Sequence, residues 1–591
     1  MPTYQSATLL GTGTAAQAPP PPRPLEDALW TWLDQLVDEA ERVKRAEARL
    51  EDFDLHVDMY TGKHWRSTMP SFRPPIVANE LRTLILSEAS DLTEAQLRIY
   101  ITKDPRAGGR DLAVERAFRA IWAREQVDLK LMQATVWALI VGTGFVKTYW
   151  DPDEANGLGD VCVTDVDPRD IIPDPDAVDD HTWQYVIEAP VMDIVEIRRL
   201  FPLSGWRVRP EDKFSVKQSQ NSRDPNPGSA SYIGPMTGTD SLTAGTIAGY
   251  KKARARVIDL KINDPQVETV VEEVTGSDGR PVLGEDGAPI IREFIRAKYP
   301  YGRRIVGANG VILFDGDNPN RKAGGRPDFG ILRVIVEPTL STFWGQGFAQ
   351  QTAELQLAAD KMLSNNVENS IRLNNGIVVS TTNTGLDWES FAGIPAQIVQ
   401  INPGSEFHIQ YPPPMPPNMI DAPWRMLDLQ RRILGFPDSR AGVPGRGNVS
   451  ADLTETEIAQ AQSTTRLRAR LLYYTVQRLA EMIFARLANG YMTPRMIPAV
   501  EGEQFKPVEW QPLERPERYS IYVDPASFMV MSRTMLRRLG LALYKMKAVD
   551  RRALLESLSW PDWEQVAGRI DQAEKLAALA RIQQKQRGTK G

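Results

Sequence analysis

The most regular pattern of apolar and polar positions lies between residues 343 and 490. Apolar residues recur near a 3.6-residue period over residues 347–373, which predicts a helix. Its predicted apolar face carries Phe348, Leu355, Met362 and Ile371, with Ala359 and Val367 between them. A second helix is predicted over 420–434 and a long third helix over 452–489, the latter ending at Gly490.

A short β-rich unit and a glycine-rich loop separate these helices. The sequence GIVVSTTNTG at 376–385 and the apolar residues at 398–401 indicate strands. The prolines between 412 and 417 exclude a helix interior there. Residues 435–450, GFPDSRAGVPGRGNVS, contain several Gly and Pro and indicate a loop.

In this order of helix, small β-rich unit, helix, glycine-rich loop and long helix, the chain resembles the portal proteins of tailed double-stranded DNA bacteriophages. Three further stretches resemble portal sequences: GTGFVKTYWDP at 142–152, VDPRDIIPDPDA at 166–177 and VEIRRLFP at 195–202. The resemblance covers residues 25–500, and it lies in the order of elements, since no diagnostic catalytic motif is involved.

The resemblance implies an α+β subunit with a wing, a two-helix stem, a small α/β clip, a long wing helix and a helical crown. The composition of residues 1–24, with a run of prolines, predicts a disordered arm. The implied regions are a wing at 25–340 with a mobile loop at 204–249, stem helices at 341–375 and 415–435, a clip at 376–414, a tunnel loop at 436–452, the long wing helix and wing strands at 453–530, and a crown and tail at 531–591.

A portal-like subunit implies a dodecameric ring at one capsid vertex, through which double-stranded DNA passes without sequence recognition. The implied partners are the large terminase, the head-completion and adaptor proteins, and the major capsid and scaffold proteins. We therefore expect the protein in the virion, and in the host cytoplasm during assembly. ATP hydrolysis belongs to the terminase in this family, so we expect no enzyme activity and no cofactor.

The resemblance also indicates which residues meet these partners. The tunnel loop carries Arg440, Arg446 and Asn448, and its cations are expected to contact DNA phosphates transiently. The solvated candidates for docking of the terminase on the clip are Thr381, Asn383, Asp387 and Glu389. The long helix is expected to brace neighbouring subunits, and its arginines at 466, 468 and 470 cannot all share one face.

Elsewhere the pattern predicts helices over 25–53, 78–91 and 112–142, and two or three more over 532–583. Residues 253–338 are predicted to form a β-rich module of five strands, with hairpin signals at Ser277-Asp278-Gly279 and Ala308-Asn309-Gly310. Gly142-Thr143-Gly144 follows a helix and precedes a strand, which is the reverse of a phosphate-binding loop, so it predicts a turn.

Composition and charge exclude fewer classes of function than the order of elements does. A net charge of −6 argues against tight, static binding to DNA, although it is also ordinary for a chain of 591 residues. The single cysteine, Cys162, excludes a disulfide scaffold and is predicted to be a strand residue. The sequence shows no secretory signal and no apolar run long enough to span a bilayer, so a soluble intracellular protein is expected.

No catalytic motif stands out, and two other classes of protein remain open. One is a different ring- or tube-forming virion component, such as another head–tail connector. The other is a metal-dependent hydrolase that uses Asp174 and Asp176 of the cluster IIPDPDAVDD; we interpret this cluster as a turn with solvated carboxylates, because it lacks the glycine and glutamate positions of a calcium loop. With four histidines (His56, His64, His181 and His408) and no second cysteine, no metal site is predicted.

Overall fold

The structure is a computed structural model that describes residues 24–48, 50–65, 73–93, 99–104, 109–211, 253–273, 291–322, 328–340, 342–374, 377–380, 402–404, 406–410, 414–436, 463–498, 500–501, 504–505, 507–513, 515–524, 540–546, 548–551, 554–555, 566–570 and 572. It is a mixed helix and sheet protein, as the α+β prediction requires. The chain divides into two compact units: unit 1 comprises Met1–Thr61 and Ile140–Gln350, and unit 2 comprises Gly62–Leu139 and Gln351–Gly591.

The longer helices are α1 (Pro24–Glu47), α2 (Leu50–Thr61), α3 (Glu80–Thr93), α4 (Leu112–Arg124), α5 (Val127–Val141), α6 (Ile194–Leu200), α7 (Phe348–Asn374), α8 (Pro417–Ile433) and α9 (Ser463–Gly490). The strands of unit 1 follow two short strands of unit 2, β1 (Ile99–Asp104) and β2 (Gly109–Arg110), in the chain. They are β3 (Thr143–Asp151), β4 (Asp160–Val166), β5 (Ile171–Pro173), β6 (Tyr185–Glu188), β7 (Val191–Asp193), β8 (Arg254–Ile262), β9 (Val267–Glu273), β10 (Ile291–Ala297), β11 (Arg303–Ala308), β12 (Val311–Asp317) and β13 (Ile331–Ile335). The remaining strands lie in unit 2: β14 (Ile377–Ser380), β15 (Phe407–Gln410), β16 (Arg495–Ile497), β17 (Val500–Glu501), β18 (Gln504–Phe505), β19 (Val508–Trp510) and β20 (Ser520–Val523).

Unit 1 is built on an antiparallel sheet of order β12-β11-β8-β6-β5, with β7 also paired to β8. Side chains alternate between the two faces of a strand, and β8 buries both faces. Ile258 and Leu260 pack with Leu33 and Val37 of α1 on one face. On the other face, Val257 packs in a second cluster that includes Ile197 of α6. The sheet is therefore covered by a helix on each side.

The strands of residues 253–338 differ from the predicted module. The segment RRIVGANGVILF folds as two strands, because Asn309 and Gly310 adopt φ of 43° and 82° and close a tight hairpin. The described parts of this segment contain six strands, distributed over three sheets: β9 pairs with β10 in a two-stranded sheet, whereas β13 joins β3 and β4. The signal at 277–279 lies outside the described residues.

Two predicted helices are each divided in the structure. Residues 25–53 form α1 and the start of α2, and residues 112–142 form α4 and α5. Gln126 interrupts the second pair with φ of 50°, a left-handed conformation that an α-helix does not contain. The predicted turn at Gly142 is confirmed, with φ of 95° directly before β3. Cys162 lies in β4, as predicted.

Part of the predicted loop at 204–249 is ordered. Ser204 Oγ donates to the Leu313 carbonyl at 2.9 Å, and Gly205 N donates to the Phe201 carbonyl at 2.7 Å. Residues 212–249 lie outside the described part of the chain, as do residues 1–23 and most of 532–583. Among the described residues, no helix is both long and apolar enough to cross a membrane.

Unit 2 contains the helix pair α7 and α8, and the antiparallel strand pair β14–β15 lies between them in the chain. Helix α7 runs within one residue of its prediction, whereas α8 begins three residues earlier than expected. Helix α9 ends at Gly490 as predicted, and it packs beside β20, where Gln477 bonds both the Ile521 carbonyl and the Val523 amide.

Candidate assembly interface on the helices of unit 2

Helix α7 buries a stripe of polar side chains in addition to part of its predicted apolar face. The stripe consists of five polar residues spaced four positions apart, each at most 5% exposed: Thr352, Gln356, Asp360, Ser364 and Glu368. Of the predicted apolar face, Phe348 and Ala359 are buried, Leu355 and Met362 are half-buried, and Val367 and Ile371 are 37% and 45% exposed. The apolar period therefore located the helix correctly, and the polar stripe is a second buried face that it did not indicate.

The polar stripe is buried because it is hydrogen-bonded to the chain before α3. Its bonds are Ile76 N to Ser364 Oγ (3.1 Å), Ala78 N to Asp360 Oδ1 (2.9 Å), Gln356 Nε2 to the Ala78 carbonyl (2.6 Å) and Arg73 Nε to Glu368 Oε2 (2.8 Å). The hydrogen bond from Arg73 lowers the pKa of Glu368, with a further contribution from Arg372. Buried polar groups that find partners in this way are stable inside a protein.

One of the four histidines belongs to this network. The ring of His64 bonds Asp360 Oδ2, and both side chains are fully buried. The histidine thus pairs with a carboxylate, and no group of three or more His, Cys, Asp or Glu side chains among the described residues could hold a metal ion. His408 lies in β15 as the sequence predicted, with its side chain exposed.

Helix α8 meets α7 through a proline inside the helix. A helix over 420–434 would have Pro423 in its first turn, but α8 begins at Pro417, so Pro423 lies in its interior. A proline has no amide hydrogen, which leaves the carbonyl four residues earlier without its helical donor. That carbonyl belongs to Met419, and it accepts a hydrogen bond from Asn366 Nδ2 of α7 at 3.2 Å. Near the other end of α8, Gln430 Nε2 donates to Thr352 Oγ1 at 3.3 Å.

Helix α8 also has a row of apolar side chains that is in contact with solvent. It recurs with spacings of three and four residues, the pattern of a helix that packs along another helix. Its members are Met419, Ala422, Met426, Leu429 and Ile433. Met419 is 58% exposed, Leu429 45% and Ile433 46%. We call this row the apolar seam.

The end of α8 and the start of α9 are held together by buried contacts. Arg468 donates to Glu88 Oε1 of α3 at 2.9 Å and to the Leu434 carbonyl at 3.3 Å. Gly435 has φ of 81°, and a Cβ there would lie 2.6 Å from Oγ1 of Thr464. Residues 437–462 therefore connect two points that are close together in space.

The three arginines in the first turns of α9 separate as their spacing requires. Arg468 is 4% exposed, whereas Arg466 and Arg470 are exposed. One arginine thus holds the unit together and two face outward. The burial of Arg468 was not predicted, because its partner Glu88 lies 380 residues away in the sequence.

Neither set of residues expected to meet DNA or the terminase falls within the described residues. Arg440, Arg446 and Asn448 of the tunnel loop lie outside them, as do Thr381, Asn383, Asp387 and Glu389 of the clip. The structure does bring together the helices on either side of the clip, α7 and α8, and those on either side of the tunnel loop, α8 and α9.

The carboxylate cluster of unit 1 forms a turn, as predicted, but its first member is not solvated. Asp174 is 6% exposed and accepts hydrogen bonds from Asp176 N at 3.1 Å and Gln184 N at 2.8 Å. Asp179 Oδ1 similarly accepts from the amides of His181 and Thr182. These carboxylates order the backbone of the turn.

Comparison with known proteins leaves the family open. No protein-family model and no curated protein matches the chain.

Proposed function

We propose that the chain is the subunit of a phage portal ring, which forms a DNA channel at one capsid vertex during genome packaging and ejection. The ring would be a homododecamer that docks the terminase and later the head-completion proteins, and it would carry out no chemistry itself. In this assignment α7 and α8 are the stem helices, the hairpin β14–β15 belongs to the clip, and α9 is the long wing helix.

The observation that carries the proposal is the apolar seam of α8. A single chain leaves Met419, Leu429 and Ile433 roughly half exposed in one row, and contiguous apolar rows on a folded surface typically mark protein–protein contacts. The two described ends that flank residues 437–462 lie close together, where Gly435 approaches Thr464. A ring of such subunits would present this segment repeatedly around one axis, which supports its assignment as the tunnel loop.

The native mass of the purified protein, with negative-stain images of the same sample, tests the proposal. Twelve subunits of 66.2 kDa give a particle of about 790 kDa, and the images are expected to show rings with a central hole. A 66.2-kDa monomer that cleaves DNA in the presence of a divalent cation, and that loses this activity in Asp174→Asn, contradicts it.

A substitution in the seam sharpens the test. Leu429→Glu with Ile433→Glu places charges in the row, so the rings are expected to be lost while the monomer remains folded. The matched control is Leu203→Glu in unit 1, where the native side chain is 90% exposed and the substitution should leave the rings intact. Normal rings from the double variant would show that the seam is not a subunit contact.

A further inference from the structure

The first turns of α9 present a face that combines basic and large apolar side chains. Arg466, Leu467, Arg470 and Tyr474 follow the spacing i, i+1, i+4, i+8, which places them within about 100° of arc on a helix. Leu467 is 59% exposed and Tyr474 is 62% exposed, and both arginines are exposed. We call this face the basic stripe.

Helix α8 carries a face with the same spacing and the opposite charge. Ile420, Asp421, Trp424 and Asp428 again occupy i, i+1, i+4 and i+8, on the opposite flank of α8 from the apolar seam. Ile420 is 51% exposed, Trp424 is 56% exposed, and the Asp428 side chain is 51% exposed. Asp428 Oδ1 lies 3.6 Å from Arg431 Nη1. We call this face the acidic stripe.

We infer that the basic stripe of one subunit packs on the acidic stripe of the next. Each stripe combines two charged and two large apolar side chains, and the arginines of one are opposite in charge to the aspartates of the other. This inference rests on the proposed function and assigns two of the surfaces that meet in the ring.

Complementary stripes on one chain produce a head-to-tail contact. Each subunit uses its basic stripe on one neighbour and its acidic stripe on the other, and such heterologous contacts close into a ring when the rotation between subunits permits. A duplex is the other occupant that a basic face admits. The acidic stripe with the same spacing favours the protein, and so do Leu467 and Tyr474, because contact with phosphates uses cations and hydrogen-bond donors.

Reversal of the charges on each stripe in turn tests the pairing. Variant A carries Arg466→Glu and Arg470→Glu, and variant B carries Asp421→Arg and Asp428→Arg. In either variant alone, like charges face each other across every contact, which should weaken association more than about a hundredfold. A 1:1 mixture of A and B restores opposite charges at every contact, so rings of alternating subunits, even in number, should form.

The readouts are native mass, negative-stain images and the melting temperature. All four positions are exposed, so both variants should melt within a few degrees of the wild type. The chain that carries all four substitutions should also form rings by itself. Arg198→Glu with Arg199→Glu, on the exposed side of α6, is the matched control and should assemble normally.

Three outcomes overturn the pairing without affecting the portal proposal. The first is normal rings from variants A and B separately, and the second is failure of the mixture to assemble. The third is rings of variant A that have lost retention of duplex DNA, which would assign the basic stripe to the channel. Absence of rings in the wild type contradicts the portal proposal itself, so the two failures are distinguishable.

Discussion

The Glu88 carboxylate and the Arg468 guanidinium form a buried ion pair that joins α3 to α9. Their closest atoms, Oε1 and Nη1, are 2.9 Å apart, and the two side chains are 0% and 5% exposed. Thr465 Oγ1 donates to the second carboxylate oxygen at 3.2 Å, and Arg468 also bonds the Leu434 carbonyl beyond α8. Three helices of unit 2 are therefore tied by one arginine.

We expect Arg468→Met to lower the free energy of unfolding of unit 2 by about 3–5 kcal/mol, because it leaves the Glu88 carboxylate buried without its cation. Glu88→Leu with Arg468→Met should cost less than Arg468→Met alone, since no unpaired charge remains. Urea unfolding measures both effects. Arg82→Met, at an exposed position of α3, is the control, with an expected change within about 0.5 kcal/mol. A cost of the double variant above that of Arg468→Met would show that charge burial is not the cause.

Two substitutions in the polar stripe of α7 are expected to lower the free energy of unfolding by different amounts. Asp360 accepts hydrogen bonds from His64, Ala78 N and Gln356, so Asp360→Leu leaves several buried donors without a partner and should cost about 3–5 kcal/mol. Ser364 accepts one bond, from the half-buried amide of Ile76, and Ser364→Ala should cost only about 1 kcal/mol. Urea midpoints for the two variants give the ratio, and equal costs would contradict the assigned network.

Comparison of α7 with its sequence shows which structural features a local pattern can predict. The apolar period located α7 within one residue, because helix formation follows local spacing. It did not indicate that α7 also buries a polar face, which includes Asp360 and Ser364, while Ile371 of the apolar face is 45% exposed. The partner of the polar face is backbone of residues 76–78, whose hydrogen-bonding groups favour polar side chains, and an apolar count cannot detect this. The four-residue recurrence of polar residues was the visible signal.

The sequence also indicated some features of the candidate interface and did not indicate others. The sequence separated Arg466 and Arg470 from Arg468, since side chains two apart on a helix point in different directions. It did not reveal that Arg468 is the buried one, because Glu88 is distant in the chain. The three-four spacing of the apolar seam was present in the sequence, but its exposure depends on which other face of α8 packs on α7.

The glycine at the start of β3 gives a third prediction. Gly142 has φ of 95°, and a Cβ there would lie 2.1 Å from the backbone oxygen of Gly345, so Gly142→Ala requires the backbone itself to move. We expect a loss of more than about 3 kcal/mol. Gly310, with φ of 82° and open space around it, is the matched control, and Gly310→Ala should cost about 1 kcal/mol from backbone strain alone. Thermal unfolding distinguishes them, and similar losses would argue against the close approach at Gly345.

The last prediction concerns pH and a carboxyl group in unit 1. The pKa of Asp170 is raised to about 7. Burial is the largest cause, the neighbouring Asp167 contributes in the same direction, and Lys44 opposes both. Lys44 Nζ is itself held by the carbonyls of Pro168 and Arg169 at 2.8 and 2.7 Å. A folded-state pKa above the unfolded value means that the folded state binds the proton more tightly, so this group's stabilisation is complete in acid and is lost as the pH rises toward 7.

Asp170→Asn removes that titration. Between pH 5 and pH 7 the wild type should lose about 2–3 kcal/mol of unfolding free energy relative to the variant, at about 1.4 kcal/mol for each pH unit. Urea unfolding at pH 5, 6 and 7 measures the difference between the two proteins, which cancels the titration of all other groups that the substitution leaves unchanged. A difference that is constant over this range, or that grows in favour of the wild type as the pH rises, would mean that Asp170 is ionised in the folded protein and is stabilised by Lys44.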